Sequence, residues 1–145
     1  MDVVISECLK DNYEAIYLLF KNELGYQNLN YNSFCQRLTM MLQSENYHLL
    51  VAYNNDQVAG FVAFEKAYAL EIEGAILRVI ALAVSSKYQG RKIGTKLMNA
   101  VELYANKNQI TTITLNSGLQ RLQAHEFYLK QGYVKKGYSF IKKNI

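Results

Sequence analysis

The stretch from Leu82 to Met98 constrains the fold most, because an apolar segment runs into a short basic loop and then into an amphipathic pattern. This order predicts a strand, a tight turn and the beginning of a helix. The first backbone N–H groups of a helix have no partner within it, and the helix dipole favours negative charge there. Gly90 and Gly94 let an anion approach the backbone closely. The segment therefore predicts a phosphate-binding turn.

Composition bounds the class of protein. The chain has 145 residues, half of them hydrophobic, and no polar low-complexity tract, which predicts one domain over residues 1–145. The N-terminus has no signal-peptide pattern, and no apolar run approaches the roughly 18 residues that cross a bilayer. Cys8 and Cys35 have no C-x-x-C spacing and no histidine nearby, which favours reduced thiols over a disulfide or a metal site. We therefore expect a cytoplasmic protein with no metal and no membrane partner.

Basic residues gather around the loop. The formal net charge is +4. Four cations lie at the loop itself: Lys87, Arg91, Lys92 and Lys96. They would attract a phosphorylated ligand electrostatically. Four lysines near the C-terminus form a second basic group, typical of solvated strand edges: Lys135, Lys136, Lys142 and Lys143. A nucleic-acid partner is not expected, since it would require more charge and exposed aromatic side chains between the cations.

Periodicity predicts an alternating chain without linkers or repeats, in the order β-α-α-β-β-β-α-β-α-β-β. Strands are expected at residues 3–6, 47–53, 57–64, 76–84, 110–115, 133–136 and 138–142. Helices are expected from Asp11 to about residue 24, from Asn32 or Ser33 to residue 42, from residue 93 to about 106, and over residues 119–131. The apolar run 76–84 predicts a central strand that is covered on both faces.

The loop does not match the common nucleotide motifs. A P-loop requires four residues between its glycines, and a dinucleotide fingerprint requires Gly-x-Gly-x-x-Gly; neither spacing is present. The loop does resemble motif A of the GNAT N-acetyltransferase family, a Gln/Arg-x-x-Gly-x-Gly/Ala turn after a strand. Gln89 and Gly94 match its first and last positions. Lys92 replaces the middle glycine, which is compatible with the motif if its backbone is helical.

Two further segments strengthen the resemblance. Leu82 and Val84 resemble the Leu-x-Val at the end of the family's fourth strand, and Asn116 follows the predicted fifth strand. The C-terminal part resembles the family's Ala-x-x-Phe-Tyr-x-x-x-Gly-Phe/Tyr segment. The residues concerned are Arg121, Ala124, Phe127, Tyr128, Gly132 and Tyr133.

The resemblance implies a fold and an activity. The fold is α+β in α/β/α layers: a mixed, mostly antiparallel sheet of six to seven strands, flanked by four helices and splayed between strands 4 and 5. It also implies a bulge in the fourth strand, which an all-apolar run does not reveal. The activity is transfer of an acetyl group from acetyl-CoA directly to a primary amine of a small molecule or peptide. The alternative is a catalytically weak acetyl-CoA-binding module that acts as a sensor. Many members of the family dimerise, so the resemblance is also compatible with a homodimer.

The resemblance also implies which residues bind acetyl-CoA. The pantetheine arm would bond the fourth-strand backbone, and the pyrophosphate would lie on loop N–H groups. The implied residues are Leu82, Ala83, Val84, Gln89, Gly90, Arg91, Lys92, Ile93, Gly94, Thr95, Asn116, Arg121 and Tyr128. Tyr128 matches the tyrosine that protonates the leaving thiolate. Its alternative role is to pack against the sheet and orient CoA.

The residue that removes the amine proton is not identified by the sequence. An alkylamine has a pKa near about 10, so a proton must leave before or during attack. Relatives often carry a glutamate on the fourth strand, where this chain offers Arg78 and Ala81. The candidates left open are Glu65, Glu71, Glu73, His48 and His125.

Arg78 stands out on an apolar strand, where alternation predicts that it shares a face with Ile80 and Leu82. A guanidinium there needs an anionic partner. That partner is either Glu65 or Glu73, or an acidic acceptor, since arginine suits carboxylate and phosphonate geometry. Residues 121–128 resemble aminoalkylphosphonate acetyltransferases, although the histidine-rich region that precedes their fourth strand is missing. In this fold the acceptor pocket is built by the first two helices and the loops around residues 65–74.

Overall fold

The structure is a computed structural model that describes residues 2–145. The chain forms two compact units, the first ending at Thr114 and the second covering Leu115–Ile145. The strands are β1 (Val3–Glu7), β2 (Tyr47–Asn54), β3 (Gln57–Ala67), β4 (Ile76–Val84) and β5 (Ile113–Leu115). The helices are α1 (Tyr13–Asn22), α2 (Tyr31–Leu42), α3 (Ile93–Lys107) and α4 (Leu122–Lys130), with short 3-10 turns at Lys10–Asn12 and Ser86–Tyr88. The four predicted helices are therefore confirmed.

The sheet has the order β1-β2-β3-β4-β5. Each of the first three neighbouring pairs is antiparallel. β4 and β5 are joined through α3, the helical crossover that parallel neighbours require, and the Leu77 N–H donates to the Thr112 carbonyl at 3.0 Å just before β5. The sheet is thus mixed and mostly antiparallel, as expected. Its five strands correct the prediction of six to seven.

The two missing strands were expected at residues 133–136 and 138–142. Among residues 116–145, all of which the structure describes, none belongs to a strand. Apolar and polar residues alternate there, but alternation stabilises a strand only when one face is buried and the backbone pairs with a neighbour. Val134, Tyr138 and Phe140 are all at least three-quarters exposed, so the burial that the pattern requires is not present.

The core of the first unit lies on both faces of the sheet. On one face, Ile16 of α1 and Phe34 of α2 pack in a cluster with Val51 and Phe61. On the other, Leu97, Met98 and Val101 of α3 are fully buried, and Tyr104 contacts Phe64. Phe61 and Phe64 are three residues apart on β3, which places them on opposite faces. The layering of helices on both faces follows from this.

The helix beginnings differ from the sequence prediction by one or two residues. Asp11 does not cap α1: it lies in the 3-10 turn before the helix, and the N-cap is Asn12, whose side chain makes no bond to α1 but accepts the Leu9 N–H across that turn at 2.8 Å. α2 begins at Tyr31 rather than after Asn32 or Ser33, because Asn30 is its N-cap and accepts the Ser33 N–H at 2.9 Å. Asparagine, aspartate and serine side chains all favour the N-cap position, so where several are close together the sequence alone does not identify the N-cap residue.

Within residues 2–145, no helix combines the length and the apolar character that crossing a bilayer demands. The same residues hold no cluster of three or more His, Cys, Asp or Glu side chains that could bind a metal ion. Cys8 and Cys35 are free thiols, and burial raises the pKa of Cys8 to about 11.

Candidate active site

The turn between β4 and α3 has a left-handed backbone at two positions. Gly90 has φ +80°, and Lys92, immediately before the helix, has φ 60° and ψ 27°. Lys92 therefore has a left-handed helical backbone and lies just outside α3. This conformation costs a residue with a side chain about 1–2 kcal/mol, whereas it costs glycine almost nothing. This explains why the family motif has a glycine at that place.

The N-terminus of α3 keeps its positive dipole end. Its first intrahelical bond joins the Lys96 N–H to the Lys92 carbonyl at 3.1 Å. The Lys92 side chain makes no capping bond, and no acidic residue lies in the first turn. Three cations, Lys87, Arg91 and Lys92, lie within six residues before it. The turn thus has the charge and backbone geometry that suit a diphosphate.

Two sets of contacts stabilise this turn, which belongs to the first unit. The Glu23 carboxylate, just beyond α1, accepts the Ser86 N–H at 2.9 Å. Tyr88 is buried, and the Lys87 ammonium and Arg91 guanidinium lie over its ring at 5.4 and 5.5 Å from the centroid. Neither Glu23 nor Tyr88 was singled out by sequence, since an isolated glutamate at a helix end carries no signal for a contact 63 positions away.

β4 carries a bulge at Ile80. Ala63 of β3 is opposite Ala81, whereas the next residue, Phe64, is opposite Val79, so that Ile80 has no partner on β3. The expected bulge in the fourth strand is confirmed. It shifts the alternation of side chains by one, so Arg78 and Leu82 lie on opposite faces of the sheet rather than on one face.

Gly60 permits β3 and β4 to approach closely at the end of β4, opposite Val84. A Cβ atom at this position would lie 2.7 Å from the Ala83 carbonyl oxygen, closer than real side chains come. Ser85 N–H donates to the Ala59 carbonyl at 2.8 Å, which holds the end of β4 against β3. The sequence did not indicate this role of Gly60 either, because it shows only one small residue within an apolar strand.

Arg78 has a protein partner. Its Nε donates to Glu65 Oε2 at 2.8 Å, and its Nη2 makes an ion pair with the same oxygen. The Arg78 side chain is 53% exposed and that of Glu65 is 13% exposed, so water reaches this pair mainly from the arginine. Of the two carboxylates offered by the sequence, the structure thus selects Glu65. Glu73 is exposed in the connection between β3 and β4.

His48 lies on the α3 face of the sheet. Its ring packs on Phe64 and Tyr104, and its Nε2 is 2.9 Å from the Tyr104 hydroxyl. Burial lowers its pKa, which nearby Glu7 offsets in part. These contacts occupy one ring nitrogen and make His48 a packing residue of the sheet.

The lowered pKa of His48 predicts a pH dependence of stability. Above the unfolded value of about 6.5 the residue is neutral in both states; as pH falls below it, the unfolded chain binds the proton first, so stability decreases. We expect the free energy of unfolding to decrease less between pH 7.5 and 5.0 in His48→Gln than in the unmodified protein. Urea unfolding at both pH values measures this, and equal decreases would contradict it.

In the second unit, Tyr128 is a buried residue of α4. Its ring contacts Phe127 and Tyr133 edge-on, with centroids 5.3 and 5.8 Å away. Burial raises its pKa above the ordinary value, and the positive charge of Arg121 partly opposes this. The hydroxyl therefore keeps its proton at neutral pH and can donate it. His125 bonds the Gly118 carbonyl through Nε2 at 2.8 Å, while Asn116 directly follows β5.

Comparison with known proteins identifies the family. Residues 12–145 match the model of the acetyltransferase (GNAT) domain, and the chain belongs to this family. It is an acetyltransferase of the GNAT class, and acetyl-CoA is its co-substrate.

Among its relatives is the aminoalkylphosphonate N-acetyltransferase of Salmonella typhimurium. The two are 30% identical over 130 residues, which cover 90% of this chain and 81% of that protein.

Solved structures share the fold. The aminoglycoside N-acetyltransferase AAC(6')-Iy in complex with CoA has a TM-score of 0.84 at 12% identity, covering 99% of this chain and 95% of that one. A protein of Bacillus halodurans named as a transcriptional regulator has a TM-score of 0.86 at 21% identity, covering 99% and 100%. At such identities the likeness concerns the fold alone.

Proposed function

We propose that this enzyme transfers the acetyl group of acetyl-CoA directly to a primary amine of a small molecule or peptide. The observation that carries the proposal is the end of β4. There a bulge at Ile80 is followed by a turn with left-handed Gly90 and Lys92 and by the N-terminus of α3, where the Lys92 side chain makes no capping bond. An extended donor with a diphosphate at one end and a thioester at the other suits such an arrangement.

The donor would bind along this segment. We propose that the backbone of Leu82, Ala83 and Val84 bonds the pantetheine arm where β4 and β5 splay apart. Because β5 spans three residues and β4 nine, β5 cannot pair with the whole of β4. The N–H groups from Gln89 to Thr95 would hold the pyrophosphate. Asn116, Arg121 and Tyr128 complete the proposed acetyl-CoA-binding set.

The reaction has three requirements: a deprotonated amine, stabilisation of the oxyanion and protonation of the leaving thiolate. The ammonium first loses a proton to solvent; the neutral amine nitrogen then attacks the thioester carbon, forms the C–N bond and releases a second proton to solvent. The resulting oxyanion would accept a backbone N–H at the Ile80 bulge, and its collapse breaks the C–S bond. We propose that the Tyr128 hydroxyl then protonates the CoA thiolate. Burial raises the pKa of Tyr128, so its hydroxyl still carries the proton at neutral pH when the thiolate leaves.

Arg78 and Glu65, with Glu73 nearby in sequence, are the proposed acceptor-side residues. Because the Arg78 charge is balanced by Glu65, a second anion there would compete with that carboxylate. The relative named for aminoalkylphosphonates supports an amine as the acceptor.

The proposal is tested by binding and turnover together. We expect acetyl-CoA to bind saturably in calorimetry, and a panel of primary amines to release free CoA with formation of the N-acetyl product. Without an amine, no acetylated protein should be seen by mass spectrometry, because transfer is direct. Saturable binding with no amine acetylated would instead indicate the sensing module, which the family match does not favour.

A further inference from the structure

A cavity of about 250 Å³ lies in the first unit beside the β4 bulge. Its walls include Phe20 of α1, Phe34 and Met41 of α2, and Ile80 and Ala81 of β4. Ile80, the bulged residue, is 41% exposed and forms part of the wall. The cavity therefore adjoins the strand position at which the proposed oxyanion forms.

The chemistry of the lining excludes many amines. No aspartate or glutamate lies among the described residues of the lining, and apart from Arg37 and His48 every lining residue is aliphatic, aromatic or methionine. His48 directs its ring nitrogen to Tyr104 on the other face. Arg37 is thus the charged side chain of the lining, and it is positive; the Glu65 carboxylate on the same face of the sheet lies outside the lining and is paired with Arg78. A second ammonium group of an acceptor would lose water inside the cavity and gain no anionic partner among the lining residues.

The volume limits the size of the occupant. An apolar cavity of roughly 150 Å³ accepts benzene, so about 250 Å³ admits one ring with a short chain or a branched alkyl group. A molecule of several sugar rings is too large to enter.

We infer that this cavity binds the acceptor of the proposed transferase, and that the acceptor is a monoamine with an aromatic or branched aliphatic body. The inference rests on the proposed function for the reaction and on the cavity for the substrate class. The body would fill the space between Phe20, Phe34 and Met41, leaving its amine at the β4 bulge. Arg37 tolerates an anionic substituent and disfavours a cationic one.

The first experiment compares acceptors on the full-length protein with acetyl-CoA. Phenethylamine and isopentylamine represent the proposed class; spermidine, neamine and 2-aminoethylphosphonate represent the others. We expect kcat/KM for the first two to exceed that for the others by about 10-fold or more, since burying several methylenes is worth at least that ratio. Higher kcat/KM for spermidine, neamine or the phosphonate would overturn the inference and leave the transferase function standing.

Binding separates the two proposals. Calorimetry with phenethylamine and the CoA-bound protein reports cavity occupancy without turnover. Binding without acetylation would support the cavity and contradict the transferase function; no binding and no acetylation would overturn the inference.

Adjacent methionines of α2 provide matched variants. Met41 lines the cavity, whereas Met40 is 64% exposed and does not. Met41→Glu should lower kcat/KM for phenethylamine by about 10-fold or more, with the acetyl-CoA Kd retained, and Met40→Glu should change neither.

Arg37→Glu, at an exposed position, should raise kcat/KM for spermidine relative to phenethylamine. Equal effects of the two methionine variants, or an unchanged ratio in Arg37→Glu, would count against the inference.

Discussion

Replacing Tyr128 by phenylalanine should lower kcat by about 100-fold or more, the usual contribution of one positioned acid, while the Kd of acetyl-CoA changes little. The variant keeps the ring, whose contacts with Phe127 and Tyr133 maintain α4 packing. It removes the hydroxyl proton alone. The leaving thiolate must then take its proton from water, and turnover falls without a matching loss of donor binding.

The pKa of Tyr128 gives this prediction a second readout. Burial raises that pKa above the ordinary value of 10, so the acid form persists through the neutral and mildly alkaline range. Activity of the unmodified enzyme should decline only as pH rises through this raised pKa. In Tyr128→Phe the decline should be absent from the residual activity. Steady-state kinetics up to the alkaline limit of stability measure both profiles.

Tyr138→Phe is the matched control, because it removes a tyrosine hydroxyl from the same unit at a side chain that is 75% exposed. It should leave kcat and Kd unaltered. If Tyr128→Phe turns over normally, Tyr128 is not the acid. If instead it weakens acetyl-CoA binding in proportion to the loss of kcat/KM, its role is to orient CoA.

Local patterns predicted the parts of the fold that depend on neighbours in sequence. β4 has the bounds that its apolar run indicated, Ile76–Val84, and the hairpin of β2 and β3 turns at Asn55, whose φ of 57° is a conformation that asparagine tolerates. Long apolar or alternating segments with clear turn residues leave few alternatives. The GNAT resemblance then supplied the topology.

Features that depend on contacts distant in sequence were not accessible. The bulge at Ile80 is followed by a run in which every residue is apolar, residues 81–84, so a change of face leaves no trace in the alternation. Residues with a side chain disfavour the left-handed backbone conformation that Lys92 adopts. We attribute its stability to the other contacts that hold this turn in place. Residues 133–145 show the opposite case: alternation without burial did not produce strands.

Gly94→Trp should lower the affinity for acetyl-CoA by about 100-fold or more, corresponding to roughly 3 kcal/mol. Gly94 is the second residue of α3. A helical Cα–Cβ bond tilts toward the helix N-terminus, so a side chain at this position covers the turn before its own Cα. An indole would therefore occupy the volume in which we propose that the diphosphate lies. Calorimetry with acetyl-CoA measures the loss.

Two variants of α3 separate obstruction from damage to the helix. Asn99→Trp places the same ring at an exposed position of α3 and should retain acetyl-CoA affinity. Gly94→Ala adds one methyl group and raises helix propensity by about 1 kcal/mol, so it should increase the melting temperature and lower affinity far less than tryptophan does. Normal acetyl-CoA binding by a folded Gly94→Trp would show that the diphosphate does not lie on this turn. The proposal for the donor side would then fail, because it depends on a diphosphate lying against left-handed Gly90 and Lys92 and the N-terminus of α3.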